Sequence, residues 1–161
     1  MINPLSQQEL IQIANRSVPE VWQTQLQKEI QPSPNLNLPL PSPRIATVAW
    51  TCSNASGEMV LTIPSAGAQL VAQTLLGTSG NYVSEDTDLD DVVGELCNMI
   101  AGRVSTELRN RGFTGTLHPP LPTRALPSGT ANPSTPTVCL THWTCGDYTF
   151  TFSIDIRPNA S

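Results

Sequence analysis

The sequence predicts an α+β fold in which an antiparallel-rich sheet packs against helices. Three observations carry that expectation. Tyr148, Phe150, Phe152, Ile154 and Ile156 alternate strictly with Thr149, Thr151, Ser153 and Asp155, the pattern of a strand with one face in a core. Residues 87–112 place apolar side chains three and four positions apart, the period of an amphipathic helix. Helices and strand pairs are grouped along the chain rather than alternating singly, which argues against a parallel doubly wound sheet.

Residues 1–30 form an N-terminal helical segment. Leu10, Ile11, Ile13, Val18, Val21, Trp22, Leu26 and Ile30 recur at a rough 3–4 spacing. Pro19 interrupts the run. Ser17 with Glu20 three residues on makes a capping box, and proline is tolerated in a first helical turn, so one kinked helix and two short ones fit equally. Residues 31–43 carry five prolines and read as a linker, after which residues 44–157 form the main body of what is one domain overall. Residues 44–52 and 57–63 read as two strands of a hairpin joined by Ser53-Asn54-Ala55-Ser56. Pro64-Ser65 opens a helix over residues 66–76 that Gly77 ends. Thr87 is a good N-cap for the long helix, and Gly112 a good stop, with Arg109 and Arg111 at the negative end of the helix dipole. Residues 119–136 carry six prolines and suggest an extended arm and loop. Residues 137–144 pair with the terminal strand across a Cys145-Gly146-Asp147 turn.

Composition narrows the functional classes. With 161 residues the chain can hold a core without staples. Its formal charge is −5 and its pI about 4.8, a poor match to nucleic acid or an anionic membrane. No apolar run approaches the ~18 residues of a membrane span. The N-terminus lacks the basic and apolar regions of a secretory signal, so the expected location is cytoplasmic and Cys52, Cys97, Cys139 and Cys145 are expected to be reduced thiols. Cys139-x-x-His142-x-x-Cys145 has the look of a metal motif. In a strand, however, the two cysteines share one face and His142 takes the other, so no metal site is expected. His118 reads as a surface or strand residue, and no Gly-x-Ser-x-Gly nucleophile elbow occurs.

Function is argued best from the long helix. At 100° per residue, Leu89, Val93, Leu96, Ile100 and Val104 make a buried stripe, with Val92 and Met99 on its flank. Asp91, Glu95, Asn98, Gly102 and Ser105 fall on the outward face, with Gly94 just beside them. Two glycines on a solvent face cost about 1 kcal/mol each relative to alanine. Small residues around a carboxylate and an amide let another protein's backbone approach closely, which explains them better than helix stability does. Cys97 lies between the faces and reads as packing rather than nucleophile.

The block Asp91-Val92-Val93-Gly94-Glu95-Leu96-Cys97-Asn98-Met99-Ile100-Ala101-Gly102 resembles the motif helix of the CheX/CheC/FliY phosphatases of two-component signalling, which carry Glu-x-x-Asn followed by an apolar pair and Ala-Gly. The strand Gly57-Glu58-Met59-Val60-Leu61-Thr62-Ile63-Pro64, the helix ending Leu75-Leu76-Gly77, the acidic lead-in (Glu85, Asp86, Asp88, Asp90) and Pro119-Pro120-Leu121-Pro122-Thr123 follow the family's order. The resemblance spans residues 44–157 and is closest to the single-motif CheX type. Glu107-Leu108-Arg109-Asn110 repeats the Glu-x-x-Asn spacing, but the wheel puts Glu107 on the buried side, so it reads as coincidence.

The resemblance implies a phosphatase acting on the phospho-aspartate of a CheY-like receiver domain in chemotaxis signalling. Asn98 would hold a water in line with phosphorus, and Glu95 would dock on the receiver's active-site lysine; positioning alone supplies most of such catalysis. Asp91, Gly94, Gly102 and Ser105 would line the partner face. The chain would need no cofactor of its own, the Mg2+ belonging to the receiver, and would form a homodimer. Edge strands of the C-terminal hairpin that need cover support the last point. A noncatalytic module that binds a receiver or flagellar partner through the same helix is the alternative; the presence of both Glu95 and Asn98 favours catalysis.

Overall fold

In the computed structural model, which describes residues 4–34, 40–77, 86–123 and 138–159, the first helix begins with a reciprocal cap. The Ser6 hydroxyl accepts the Glu9 backbone N–H at 3.2 Å, and the Glu9 carboxylate accepts the Ser6 N–H at 2.8 Å. This box starts α1 (Gln7–Val21). The box expected at Ser17 and Glu20 does not form. Ser17 is buried on the core face of α1, its hydroxyl without a partner among the described residues, and Glu20 turns outward to Arg103. The helix runs through Pro19 in one piece. An interior proline costs about 3 kcal/mol, but Leu10, Ile13, Val18 and Val21 are each buried on the sheet side, and burying such a side chain returns roughly 1.5–3 kcal/mol. A π-helical turn, Trp22–Leu26, closes the segment at Gln27 (φ 53°).

Among the described residues, seven antiparallel strands follow the order β1-β6-β7-β3-β2, with β4 and β5 both pairing with β2 at the far side. They are β1 (Gln31–Pro32), β2 (Pro43–Cys52), β3 (Ala55–Pro64), β4 (Gly115–Leu117), β5 (Leu121–Thr123), β6 (Val138–Cys145) and β7 (Tyr148–Pro158). Helices α2 (Ser65–Leu76) and α3 (Asp86–Asn110) complete the fold, so the expected α+β architecture is the observed one. One face of the sheet presents Val48, Trp50, Met59, Leu61, Phe150, Phe152 and Ile154 to the helices, all of them fully buried. Side chains from Leu5 to Ile30 join the same core, and Gln31–Pro32, inside the stretch read as a linker, pairs with Trp143 and Thr144 of β6.

Local chemistry sets the joints. The turns are tighter than expected: Ser53-Asn54 joins β2 to β3, and Gly146-Asp147, with Gly146 at φ 55°, joins β6 to β7. Gly57 pairs with Ile156, and a Cβ there would collide with the Asp155 carbonyl, so the β3–β7 register requires glycine. Trp22 stacks on Phe150 (centroids 4.1 Å apart, 8° between planes) and donates its indole N–H to the Tyr148 hydroxyl at 3.4 Å. The Tyr148 ring lies against Gly67 of α2, so this aromatic cluster ties the π-helical turn, the sheet and α2 together. The C-terminal hairpin does not supply two edges, as the sequence suggested. Strand β7 is central, between β3 and β6.

Among the described residues, no helix is long and apolar enough to cross a membrane. Cys139 and Cys145 are buried on the helix side of β6, with the intervening His142 on the other face. Burial pushes the Cys97 and Cys139 thiols from an ordinary value of 9.0 up to about 12, and it raises the Tyr148 hydroxyl as well. The unfolded chain loses the thiol protons near pH 9 and the tyrosine proton near pH 10, while the folded chain keeps them. Stability should therefore be indifferent to these groups below about pH 9 and fall as pH rises from there towards 12, read as a falling urea midpoint. In the native protein a thiol reagent should label half-exposed Cys52 and reach Cys97, Cys139 and Cys145 only after denaturation. Rapid labelling of all four would contradict the packing described.

Candidate functional site

Helix α3 is fixed before any of its outward side chains is considered. Leu89, Val93, Leu96, Ile100 and Val104 are each 2% exposed or less, as the wheel predicts. Leu108 extends the stripe. The helix ends at Gly112 (φ 93°), where the Phe113 N–H donates to the Leu108 carbonyl and the Gly112 N–H to that of Arg109, the paired bonds of a Schellman stop. At the other end, Arg44 of β2 donates from Nη1 to the Asp90 carboxylate at 3.1 Å and from Nε to the Ser65 hydroxyl at 3.2 Å. Ser65 in turn donates to the Ser42 carbonyl at 2.7 Å. One guanidinium thus joins the starts of β2, α2 and α3. Its partners lie 21 and 46 residues away, so nothing local in the sequence announces it. Arg103 meets Glu20 of α1 at 2.7 Å on the opposite flank.

Glu95 and Asn98 are both exposed and stand one turn apart, which puts their Cβ atoms about 5–6 Å from each other. Neither has a hydrogen-bond or ion-pair partner among the described residues. Directly behind them, Leu96 and Cys97 are fully buried, the Cys97 thiol directed at the Ala46 and Met59 carbonyls (3.5 and 3.7 Å). The backbone carrying the two polar groups is therefore rigid while the side chains are free. Asp91 is exposed on the same face.

Two residues expected on that face lie elsewhere. Ser105 is buried, 7% exposed, and Gly94 is buried beneath Pro120, whose ring would sit 3.5 Å from an added Cβ. On the wheel both stand about 40–60° from Asp91 on one side, the flank on which Pro120 covers Gly94. Periodicity gives that angle but not what covers it. Gly102 remains half-exposed, with nothing within 4 Å of an added Cβ. The second Glu-x-x-Asn copy points away: the Glu107 side chain is 18% exposed and lies 3.8 Å from Arg16 of α1. Residues the sequence reading did not place at the site also line this end of α3. Leu76, Pro120 and Pro122 border a groove that reaches Glu95.

Comparison with known proteins agrees with this architecture. The family model described as "Chemotaxis phosphatase CheX" matches residues 45–139. The chain superposes on a chemotaxis protein CheX from Vibrio vulnificus with a TM-score of 0.75 at 17% identity, covering 96% of this chain and 100% of that one. CheX from Desulfovibrio desulfuricans gives 0.72 at 19% identity, over 92% and 99%. CheX in a CheX–CheY–BeF3–Mg2+ complex from Borrelia burgdorferi gives 0.70 at 20%, over 98% and 99%. No curated protein matches the sequence.

The glycines provide a direct check on the outward face. Neither Gly94 nor Gly102 is required by a close contact or a positive φ. Gly102→Ala and Gly94→Ala should each raise stability by up to about 1 kcal/mol in urea denaturation, because helix propensity improves without a clash. Destabilisation by Gly102→Ala would mean that the space above it is filled in the free protein.

Proposed function

The chain belongs to the CheX family of chemotaxis phosphatases, and from that premise we propose that it hydrolyses the phospho-aspartate of a CheY-like receiver domain. The observation that carries this reading is the Glu95–Asn98 pair: two exposed polar side chains, without a partner among the described residues, one turn apart on a helix whose backbone is fully packed behind them. The Borrelia burgdorferi relative is seen with CheY, which supports the choice of partner.

In this reading α3 lies across the receiver's active site. The Asn98 carboxamide accepts one proton of a water and orients its oxygen in line with the phosphorus. Water attacks phosphorus, the bond to the aspartyl oxygen breaks, and aspartate and inorganic phosphate are released. No bond forms to this chain, so no nucleophile is needed. Holding the reactants in line supplies the acceleration. The Mg2+ and the leaving carboxylate belong to the receiver. Glu95 accepts a charge-assisted hydrogen bond from the receiver's lysine and fixes the register of docking. Gly102 keeps the surface low where the receiver's backbone approaches, and Asp91 extends the face toward the start of α3.

Asn98→Ala should reduce dephosphorylation to the receiver's own rate while leaving fold and binding intact, measured by phosphate release from acetyl-phosphate-treated receivers. Glu95→Ala should weaken binding by about 1–3 kcal/mol. High salt should mimic part of the Glu95 defect and none of the Asn98 defect. Full activity in Asn98→Ala, or a wild type that binds phospho-receivers and leaves them intact, would make the noncatalytic module the better account.

The working species in this proposal is a homodimer. Among the described residues, β1 and Ser33 reach β6 at Thr144, Trp143 and His142, while Leu140 on β6 and Leu121 on β5 are 49% and 66% exposed. Exposed leucines and a short edge strand favour pairing with a second copy. Light scattering at tens of micromolar should give twice the 17.3 kDa chain mass, and a monomer would remove this part of the reading.

A further inference from the structure

Beside Glu95 the surface is not flat. A groove of about 570 Å³ runs from that residue along the first turns of α3, between the end of α2 and the β4–β5 connection. Its apolar part is Leu76, Val92, Pro120 and Pro122, and Leu76 is 52% exposed although it is a large aliphatic side chain. Among the described residues its polar part is carboxylate: Asp88, Asp90, Asp91 and Glu95. Asp90 is paired with Arg44 at 3.1 Å. Among the described residues, Asp88, Asp91 and Glu95 have no ion-pair partner.

An apolar trough under a carboxylate rim suits a side chain with an aliphatic stem and a cationic head. Glu95 already belongs to the docking face, so the groove continues that face rather than forming a separate site. We propose that the groove takes a second basic side chain of the receiver, a lysine or arginine outside the receiver's active site, and that this contact selects the partner. The proposal rests on the reading that the Glu95–Asn98 face docks a receiver. The stem lies on Leu76, Val92 and the two prolines, and the head lies between Asp88 and Asp91. A receiver with a neutral or acidic residue at the matching position leaves the rim carboxylates facing no charge, or a like one, and binds more weakly. The active-site lysine that pairs with Glu95 does not by itself distinguish one receiver from another. A contact outside the active site does.

The test uses the full chain and the receiver that the wild type dephosphorylates fastest, loaded with beryllofluoride and Mg2+ for binding and with phosphate for turnover. Asp88→Asn with Asp91→Asn should raise Kd and KM about tenfold and change kcat at saturation less than about twofold. Leu76→Ala, which alters no charge, should raise Kd about threefold. Asp91→Arg should lose binding, and one Lys→Glu or Arg→Glu change on the receiver, away from its active site, should restore it. Thermal unfolding of each variant confirms that the fold is kept. If the Asn pair and Leu76→Ala stay within about twofold of wild type while Glu95→Ala weakens binding, the groove is empty in the complex and the docking reading survives without it. If no receiver binds the wild type at all, both readings fall.

Discussion

The burial of one stripe of α3 against the helix side of the sheet is the constraint on which the rest depends. Five side chains from Leu89 to Val104 are at most 2% exposed, and full burial of such groups contributes roughly 1.5–3 kcal/mol each. Against that, glycine at positions 94 and 102 costs about 1 kcal/mol apiece, a loss the stripe can absorb. The rotation of the helix is then not free. Arg44 holds its start through Asp90, and Arg103 and Glu107 hold one flank against α1. The orientation of Glu95 and Asn98 thus follows from contacts made on the other side of the same helix.

The sheet contributes to the site by register. Strand β5 pairs with β2 so that Ala46 faces Pro122 and Thr47 faces Leu121. Adjacent residues of a strand point to opposite faces, so Leu121 takes the side of the sheet away from the helices and Pro122 takes the side of α3. A short edge strand tolerates the proline, since its missing N–H need not serve an inner ladder. Pro120, just before the strand, closes over Gly94. Pro120 and Pro122, at the start of the proline-rich stretch that reads in sequence as an arm, are therefore a wall of the groove beside Glu95; residues 124–136 of that stretch lie outside the described residues. Upstream, β4 pairs Gly115 opposite Cys52, and the Trp50 indole occupies the space where a Gly115 side chain would lie. That close approach sets where the connection leaves the sheet.

Periodicity made much of this legible. The alternation in residues 148–156 and the stripe of α3 depend only on which face is apolar, and the structure shows both. What failed were inferences about coverage and choice between local options. Ser105 and Gly94 have the right helical angle to be exposed, but both are buried, Gly94 beneath Pro120 of the β4–β5 connection, whose path no local pattern indicates. Ser17-Glu20 and Ser6-Glu9 are equally good capping boxes by spacing. The core decides between them by burying Ser17 on the face of α1 and leaving Glu20 to meet Arg103 83 residues away. The Arg44–Asp90 pair was hidden for the same reason, being long-range in sequence. The family was legible because the residues around Glu95 and Asn98 are distinctive as a block, not because Glu-x-x-Asn is, as Glu107–Asn110 shows.

The proposed function asks for a division of labour, since Glu95 and Asn98 would work inside another protein's active site. Partners of their own would then compete with the receiver for the same hydrogen bonds. Precision has to come from the backbone instead. The structure meets that requirement from behind: Leu96, Cys97, Ile100 and Ala101 are fully buried around the two positions, and the Cys97 thiol, raised by burial, stays neutral and acts as a small apolar filler. Rigid packing behind and bare polar groups in front is the arrangement a positioning catalyst needs, since a displacement of about 1 Å can cost on the order of 100-fold in rate. In the proposed function the catalytic power of this chain therefore resides less in Asn98 itself than in the core that keeps Asn98 from moving.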